Sequence, residues 1–513
     1  VYEGPDVTYS DIHVPTLHSS RDQFWEWLHK RSGRIAGLTC MVFLRTDEVE
    51  VEEGEEGEEG GEEEEEGGEE QGEEQGEEQG EEGEGGKEGE GGGEELPQWT
   101  QRLVTLSGIP GVRLTVGLPH HSVSDPNYLR FIRWLRQHGH RLDQLTILVV
   151  YREQVALRVL VRAAATCRSI GFKITRFSQA IHLDDLVPLA GTLRCLEVVS
   201  PGLGVLGGIS ALSSLQQLTS LHVKFEKLDE QPWDYLAKLT NLKELYAKVG
   251  TNGDPSALSA LTQLSRLHLD QWAGHAFSFS SLQPLSSLQQ LQKLYLGRDI
   301  CPATSLQNLA GLSNLYKLDL LFGSGGLRSL EGLGGGVAEL SIEGATDLVS
   351  LAGIEGCSNL RQLTLQRCGV SSLQPLRFLS SLELLYVSKC PITSLGGLSG
   401  RSLKSLCACD CESLTELSGV EQLTALTSLE VCSCGVTSLQ LLSYLGEGLQ
   451  SLRVSRCYLV KELVLELPNV QPSANFRFYG GNSDQGVQKV VLAGGVERWS
   501  TNMPYALQGV WNY

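Results

Sequence analysis

Residues 359–376 read NLRQLTLQRCGVSSLQPL, residues 381–398 read SLELLYVSKCPITSLGGL and residues 425–442 read ALTSLEVCSCGVTSLQLL. Each opens with Leu, two residues, Leu, one residue, then Leu or another apolar residue. The same opening recurs twelve times, at Leu193, Leu218, Leu242, Leu264, Leu291, Leu315, Val337, Leu360, Leu382, Leu403, Leu426 and Leu449. Successive copies lie 21 to 27 residues apart. Apolar residues alternating with variable ones are the signal of a short strand. One strand in every ~23 residues implies repeats stacked into a coil, because no copy can bury its apolar face alone. Such a coil offers a broad concave wall and no evident catalytic pocket, which directs the functional reading to recognition.

The pattern resembles that of the leucine-rich repeat family, L-x-x-L-x-L-x-x-N/C-x-L, in the short-repeat style of phosphatase regulators and internalins. The resemblance implies an α/β leucine-rich repeat solenoid, a horseshoe with a concave parallel β-sheet and short helical or irregular convex segments. In the family the leucines of each strand point inward and the residues between them face the concave side. The family's ninth position is Asn or Cys, turned inward onto the backbone of the turn. Here Cys368, Cys390, Cys411, Cys434 and Cys457 fill it, a structural ladder of thiols suited to a buried slot. The earlier copies carry Pro201, Glu226, Gly250, Trp272, Asp299, Gly323 and Ala345 there. The first seven rungs are therefore expected to have longer or distorted turns.

Upstream the pattern weakens. Ile35, Leu38 and Cys40 form one expected rung, Leu142, Leu145 and Ile147 another, and Cys167, Ile170 and Phe172 a third between them and the regular array. FWEWLHKRSGRIAGLTC from Phe24 aligns without a gap on FIRWLRQHGHRLDQLTI from Phe131, and each reads as a helix running into a strand. Ser20 with Gln23 makes a capping box and Gly33 ends the first helix. Asp125 caps the second, Pro126 starts it and Gly139 stops it. The expected organisation is a helix–strand cap at 1–46, an acidic insert at 47–95, longer helix–strand repeats at 96–192, the twelve repeats at 193–460 and a C-terminal cap at 461–513.

The net charge of −22 is concentrated in one place. Residues 47–95 hold 27 acidic residues and one Lys, a net of −26, so the remainder carries +4, from 40 basic against 36 acidic residues. This Glu/Gly run has nothing to bury and repels itself, so disorder is expected. It reads either as a low-complexity loop without a specific role or as an acidic tether competing for a basic surface. No apolar run approaches the ~20 residues of a membrane span. The first residue is Val, no signal-peptide pattern follows, and no Asn-x-Ser/Thr sequon occurs. Thirteen cysteines are spread along the repeats. Together these features lead to the expectation of a reducing, cytoplasmic setting and a monomeric chain.

One variable residue lies at the centre of each strand. Read along the chain these are Glu197, His222, Tyr246, His268, Tyr295, Asp319, Ser341, Thr364, Tyr386, Cys407, Glu430 and Arg453. His222, Tyr246, His268 and Tyr295 would fall on four adjacent rungs, flanked by Lys224, Lys248, Arg266, Lys293, Arg298 and Lys317, with Glu244 and Asp270 among them. Rings interleaved with cations suit a protein hot spot, or an acidic or phosphorylated ligand. The plainer reading is that Tyr and Lys are simply favoured at exposed strand positions. The candidate partner-binding residues are His222, Lys224, Tyr246, Lys248, Arg266, His268, Lys293, Tyr295, Lys317 and Tyr386. Cys407, Cys409 and Cys432 also face the concave side, within reach of a disulfide or a soft metal. No nearby His completes a ligand set, so they read as structural and no metal is assigned.

PGLGVLGG from Pro201 contains Gly-x-Gly-x-x-Gly, but Leu206 falls in the slot that Leu373 and Leu395 fill in regular repeats, so the turn needs no nucleotide. His120, His121, His138 and His140 lie near helix ends without ligand partners. No P-loop, zinc-protease helix or nucleophile elbow is present, so neither an enzyme nor a cofactor is expected. The leading reading is a non-enzymatic protein-interaction scaffold. The stretches at Trp27 and Trp134 also resemble leucine-rich repeat proteins of green algae and plants, some with an upstream F-box. That resemblance implies an alternative, the substrate-reading part of a ubiquitin ligase subunit; an axonemal or other cytoskeletal scaffold is a third. A nucleic-acid binder is disfavoured, because a polyanionic loop repels phosphate backbones. Deleting residues 48–94 is expected to leave the melting temperature nearly unchanged, since loop closure costs only slowly more with length. Loss of cooperative unfolding would show that the segment belongs to the core.

Overall fold

A computed structural model describes residues 9–14, 35–43, 112–118, 125–150, 154–175, 181–199, 205–225, 227–228, 231–249, 253–272, 278–301, 303–323, 325–398, 402–460, 464–471, 475–479 and 489–499. The acidic insert, Trp27 and the residues expected to cap and end the first helix (Ser20, Gln23, Gly33) lie outside these, as do His120 and His121.

One parallel sheet of eighteen strands dominates the described residues, and its spatial order is its chain order. The upstream strands are β1 (Tyr9–Val14), β2 (Ile35–Phe43), β3 (Val112–Leu118), β4 (Gln144–Val150) and β5 (Ile170–Thr175). Then follow β6 (Leu193–Val199), β7 (Ser220–Phe225), β8 (Glu244–Val249), β9 (Arg266–Gln271), β10 (Lys293–Leu296) and β11 (Lys317–Leu321). The regular rungs supply β12 (Glu339–Glu343), β13 (Gln362–Gln366), β14 (Leu384–Ser388), β15 (Ser405–Cys409), β16 (Ser428–Cys432) and β17 (Ser451–Ser455), and β18 (Asn475–Tyr479) is last. All twelve expected rungs are present as β6 to β17.

Register explains why so short a motif is sufficient. Leu221, Leu245, Leu267, Leu294, Leu318, Leu340, Leu363, Leu385, Leu406, Leu429 and Leu452 sit directly opposite one another along the sheet. None is more than 2 % exposed. Full burial of one such side chain contributes roughly 1.5–3 kcal/mol. A slip of one residue would put the whole line into water. Short 3₁₀ turns return the chain along the convex side, among them Gln374–Phe378 and Gln440–Tyr444.

The ninth-position thiols are buried as expected. Cys368, Cys390 and Cys411 are 2 %, 2 % and 0 % exposed, and Cys434 and Cys457 are 5 % and 9 %. Each Sγ lies within hydrogen-bonding distance of the carbonyl two residues before it and of one on the preceding rung. Cys434 meets Cys432 O at 3.3 Å and Ala408 O at 3.4 Å. Cys411 meets Cys409 O at 3.3 Å and Val387 O at 3.8 Å. The residue before each thiol turns the chain in the left-handed region: Arg367, Lys389, Asp410, Ser433 and Arg456 all have φ between 51° and 56°. Two of the thiols are followed by glycine, where a Cβ would run into backbone: Gly369 against the Thr346 carbonyl and Gly435 against the Glu412 carbonyl.

Upstream, α1 (Pro126–His138) and α2 (Gln154–Ala164) replace the 3₁₀ turns. Asp125 accepts from Tyr128 N at 3.4 Å, as a capping residue does. The helix stops before Gly139, but not through left-handed geometry. A Cβ there would meet Thr166 Oγ1 at 2.7 Å and Cys167 Sγ at 2.9 Å, so close packing requires the glycine.

Three features differ from the sequence reading. The strand β1 precedes β2, so the acidic insert follows the second rung and not the first; YSDIHV carries no leucine signature. The strand β3, paired between β2 and β4, was also not foreseen. The array does not end at Val460: β18, inside the expected cap, pairs with β17 in the same register. The Gly-x-Gly-x-x-Gly segment runs into a strand, Val205–Gly207, of a small side sheet with Ile181–His182 and Lys227–Leu228. Leu206 is 0 % exposed, as its slot in the repeat requires.

The two cysteine classes should separate under alkylation of the native protein. Cys368, Cys390, Cys411, Cys434 and Cys457 are expected to resist iodoacetamide, and Cys407, Cys409 and Cys432 to react, because burial governs access. Site-resolved mass spectrometry reads the difference; rapid labelling of the first group would overturn the register.

Candidate partner-binding face

The central residues form one unbroken column across the wall. From β6 to β17 the direct neighbours run Glu197, His222, Tyr246, His268, Tyr295, Asp319, Ser341, Thr364, Tyr386, Cys407, Glu430 and Arg453. Parallel pairing ~4.8 Å apart turns this column into a stack where the residues are rings. Centroids of His222 and Tyr246 are 4.0 Å apart, those of Tyr246 and His268 3.9 Å, and those of His268 and Tyr295 3.7 Å with the planes 1° from parallel. Beside the rings runs a groove of about 570 Å³, lined by Glu197, Glu244, Arg266, Lys293, Lys317 and Asp319 among others.

Nine of the ten candidate residues lie together on β7 to β11. Tyr386 does not: it stands on β14, three rungs beyond Lys317, next to Cys407.

The charges differ from a basic stripe. Lys248 Nζ meets Asp270 Oδ2 at 2.6 Å, Arg266 meets Glu244 at 2.8 Å, Lys317 meets Glu339 at 2.8 Å and Lys173 meets Glu197 at 2.8 Å. Each pair joins neighbouring rungs, where a cation faces a carboxylate in register. Lys224 and Lys293 meet rings instead. Lys224 and Lys248 lie 5.9 and 5.4 Å from the Trp272 ring, and Lys293 lies 5.4 Å from the Tyr316 ring. The face is therefore a mosaic of paired charges around an aromatic spine, with far less net positive field than its lysines suggest.

Burial keeps the rings neutral. Desolvation between the two tyrosines lowers the His268 pKa to about 4 against the attraction of Asp270, and it lowers that of His222 as well. It pushes the Tyr295 phenol up to about 12 and raises that of Tyr246. His268 Nε2 is buried without a hydrogen-bond partner.

A second cluster lies further along the same column. Cys407 Sγ and Cys409 Sγ are 3.3 Å apart, and Cys432 stands opposite Cys409. The sequence reading found the thiols but missed Glu430, which faces Cys407 on the next rung. Its place in the central column was the available signal. His138 is occupied structurally, packed against Trp134 with centroids 5.8 Å apart.

The depressed His268 fixes a pH dependence. Its folded pKa lies below the ordinary 6.5, so the unfolded chain binds the extra proton first as pH falls. The stabilisation is fully present above about pH 6.5 and is lost progressively towards pH 4. The melting temperature should therefore fall as pH drops from 7 to 4.5, and fall less in His268→Phe, which keeps the stack. Equal slopes for both proteins in thermal melts followed by circular dichroism would contradict the assigned burial.

No protein-family model matches the sequence, and no curated protein matches it. Similar solved structures include an internalin of Listeria monocytogenes, at 20 % identity and TM-score 0.39 over 59 % of this chain and 83 % of that one. A Leptospira interrogans leucine-rich repeat protein matches at 16 % identity and TM-score 0.40, over 70 % and 87 %. The ectodomain of the Arabidopsis thaliana receptor kinase GASSHO1/SCHENGEN3 matches at 15 % identity and TM-score 0.38, over 78 % and 60 %. The recurrent L-x-x-L-x-L motif, the inward cysteine ladder and the long parallel sheet with one strand per repeat together give this chain the leucine-rich repeat fold.

Proposed function

We propose that the chain is a non-enzymatic interaction scaffold that holds a protein partner against the concave face at His222, Tyr246, His268 and Tyr295. The observation that carries this reading is the four-ring stack. Rings fixed by their neighbours lose little conformational freedom on binding, and aromatic anchors dominate protein interfaces. The groove beside the stack can receive a side chain or short segment, and its paired ions offer donors and acceptors already in place. The finer reading is that the segment is acidic or phosphorylated and is met by Lys224 and Lys293, whose ammonium groups lie 5.9 and 5.4 Å from the Trp272 and Tyr316 rings and form no salt bridge among the described residues. The proposal includes an intracellular setting, supported by the buried ninth-position thiols, which serve the turn only while reduced.

Tyr246→Ala and Tyr295→Ala are each expected to weaken the partner by roughly 1–3 kcal/mol, with the far-ultraviolet spectrum unchanged. Quantitative pull-down from native lysate, with and without phosphatase treatment, measures both parts. Retention of every partner by the double variant would move the contact elsewhere. Partners lost with the double variant but indifferent to phosphatase and to Lys293→Glu would keep the scaffold and remove the acidic preference.

A further inference from the structure

We propose that Cys407, Cys409, Cys432 and Glu430 form a binding site for a thiophilic divalent cation of the zinc class. The site follows from the lattice of the sheet. Residues two apart on a strand share a face, and direct neighbours on parallel strands lie ~4.8 Å apart. On β15 this places Cys407 and Cys409 side by side on the concave face. On β16 it places Glu430 opposite Cys407 and Cys432 opposite Cys409. Four donors thus occupy the corners of one cell of the sheet, three of them soft sulfur and one carboxylate oxygen.

Three of the four donors already stand at ligand spacing, while the Cys432 thiol lies outside that group, 3.7 Å from Ser433 Oγ, and turns inward to complete it. Cys407 Sγ, Cys409 Sγ and a Glu430 oxygen all lie within 4.8 Å of one another, and the two sulfurs are 3.3 Å apart. A zinc ion with Zn–S bonds of ~2.3 Å holds its sulfurs about 3.8 Å apart, so ligation needs only a small opening of the pair. The residues are half-buried, which gives the ion access while limiting competition from water. Arg453 meets Glu430 Oε1 at 3.4 Å. It orients the carboxylate and offsets part of the charge that three thiolates and a carboxylate bring to a dication. Binding would release the thiol protons to solvent. The buried ninth-position thiols cannot serve, since each points into the core. The cell lies five rungs from Tyr295, so it stands apart from the ring stack.

The experiment is a titration of the full chain, reduced and kept free of oxygen, with cobalt(II) alone, followed by displacement with zinc(II). The expected result is one equivalent bound, with the intense visible bands of tetrahedral cobalt, a thiolate charge-transfer band, and loss of both on adding zinc. The double variant Cys407→Ser/Cys409→Ser should weaken binding by at least ~100-fold, and Glu430→Gln by about 10-fold. Cys195→Ser should bind as wild type does, with circular dichroism confirming that each variant is folded. Weak pink octahedral cobalt, absence of a thiolate band, or an equivalent retained by the double variant would overturn the assignment.

Discussion

A single rung of this coil cannot bury its own leucines. Each strand contributes an apolar edge that is covered only by the strand before it and the strand after it, so stability resides in the junctions between repeats. The line from Leu221 to Leu452 shows the constraint at work: every member is buried, and every member is a direct neighbour of the next. In-register parallel pairing is the one arrangement that keeps that line intact. Everything on the concave face inherits its position from it, because fixing alternate residues inward fixes those between them outward.

This inheritance explains what could be read from the sequence. The column from Glu197 to Arg453 was legible because each member lies midway between two leucines of its motif, and the spacing of repeats needs no help from distant contacts. The cysteine ladder was legible for the same reason. What escaped lacked a leucine frame. The strand at Tyr9–Val14 reads YSDIHV, and the one at Asn475–Tyr479 reads NFRFY, so neither announces its register. The ion pairs escaped differently. Arg266 and Glu244 are 22 residues apart in the chain and adjacent in space. A carboxylate faces Lys248, Arg266 and Lys317 across one strand spacing, a pairing that chain order does not display. Glu430 is hidden in the sequence for a similar reason, since it stands beside Cys407 only through the pairing of neighbouring rungs.

The wall carries two regions of different chemistry on one scaffold. The rungs from β7 to β11 present stacked rings and paired ions; β15 and β16 present thiols and a carboxylate. Each draws its donors from neighbouring strands, so each depends on local register and little on the shape of the coil as a whole. In a solenoid, energetic effects decay over a few repeats, and a substitution in one region leaves the other's geometry in place.

The pairing of charge across single strand spacings has a consequence for how this face meets anything at all. Opposite charges 2.6 to 2.8 Å apart act as small dipoles, and their fields cancel well inside the ~8 Å over which physiological salt permits charges to be felt. These pairs therefore broadcast little. They neither draw in an approaching molecule nor turn it from a distance, and they add selectivity only once shape and hydrogen bonds are already in contact. At a face built this way encounter is governed by collision and fit, so paired charge acts on how long a bound molecule stays more than on how fast it arrives.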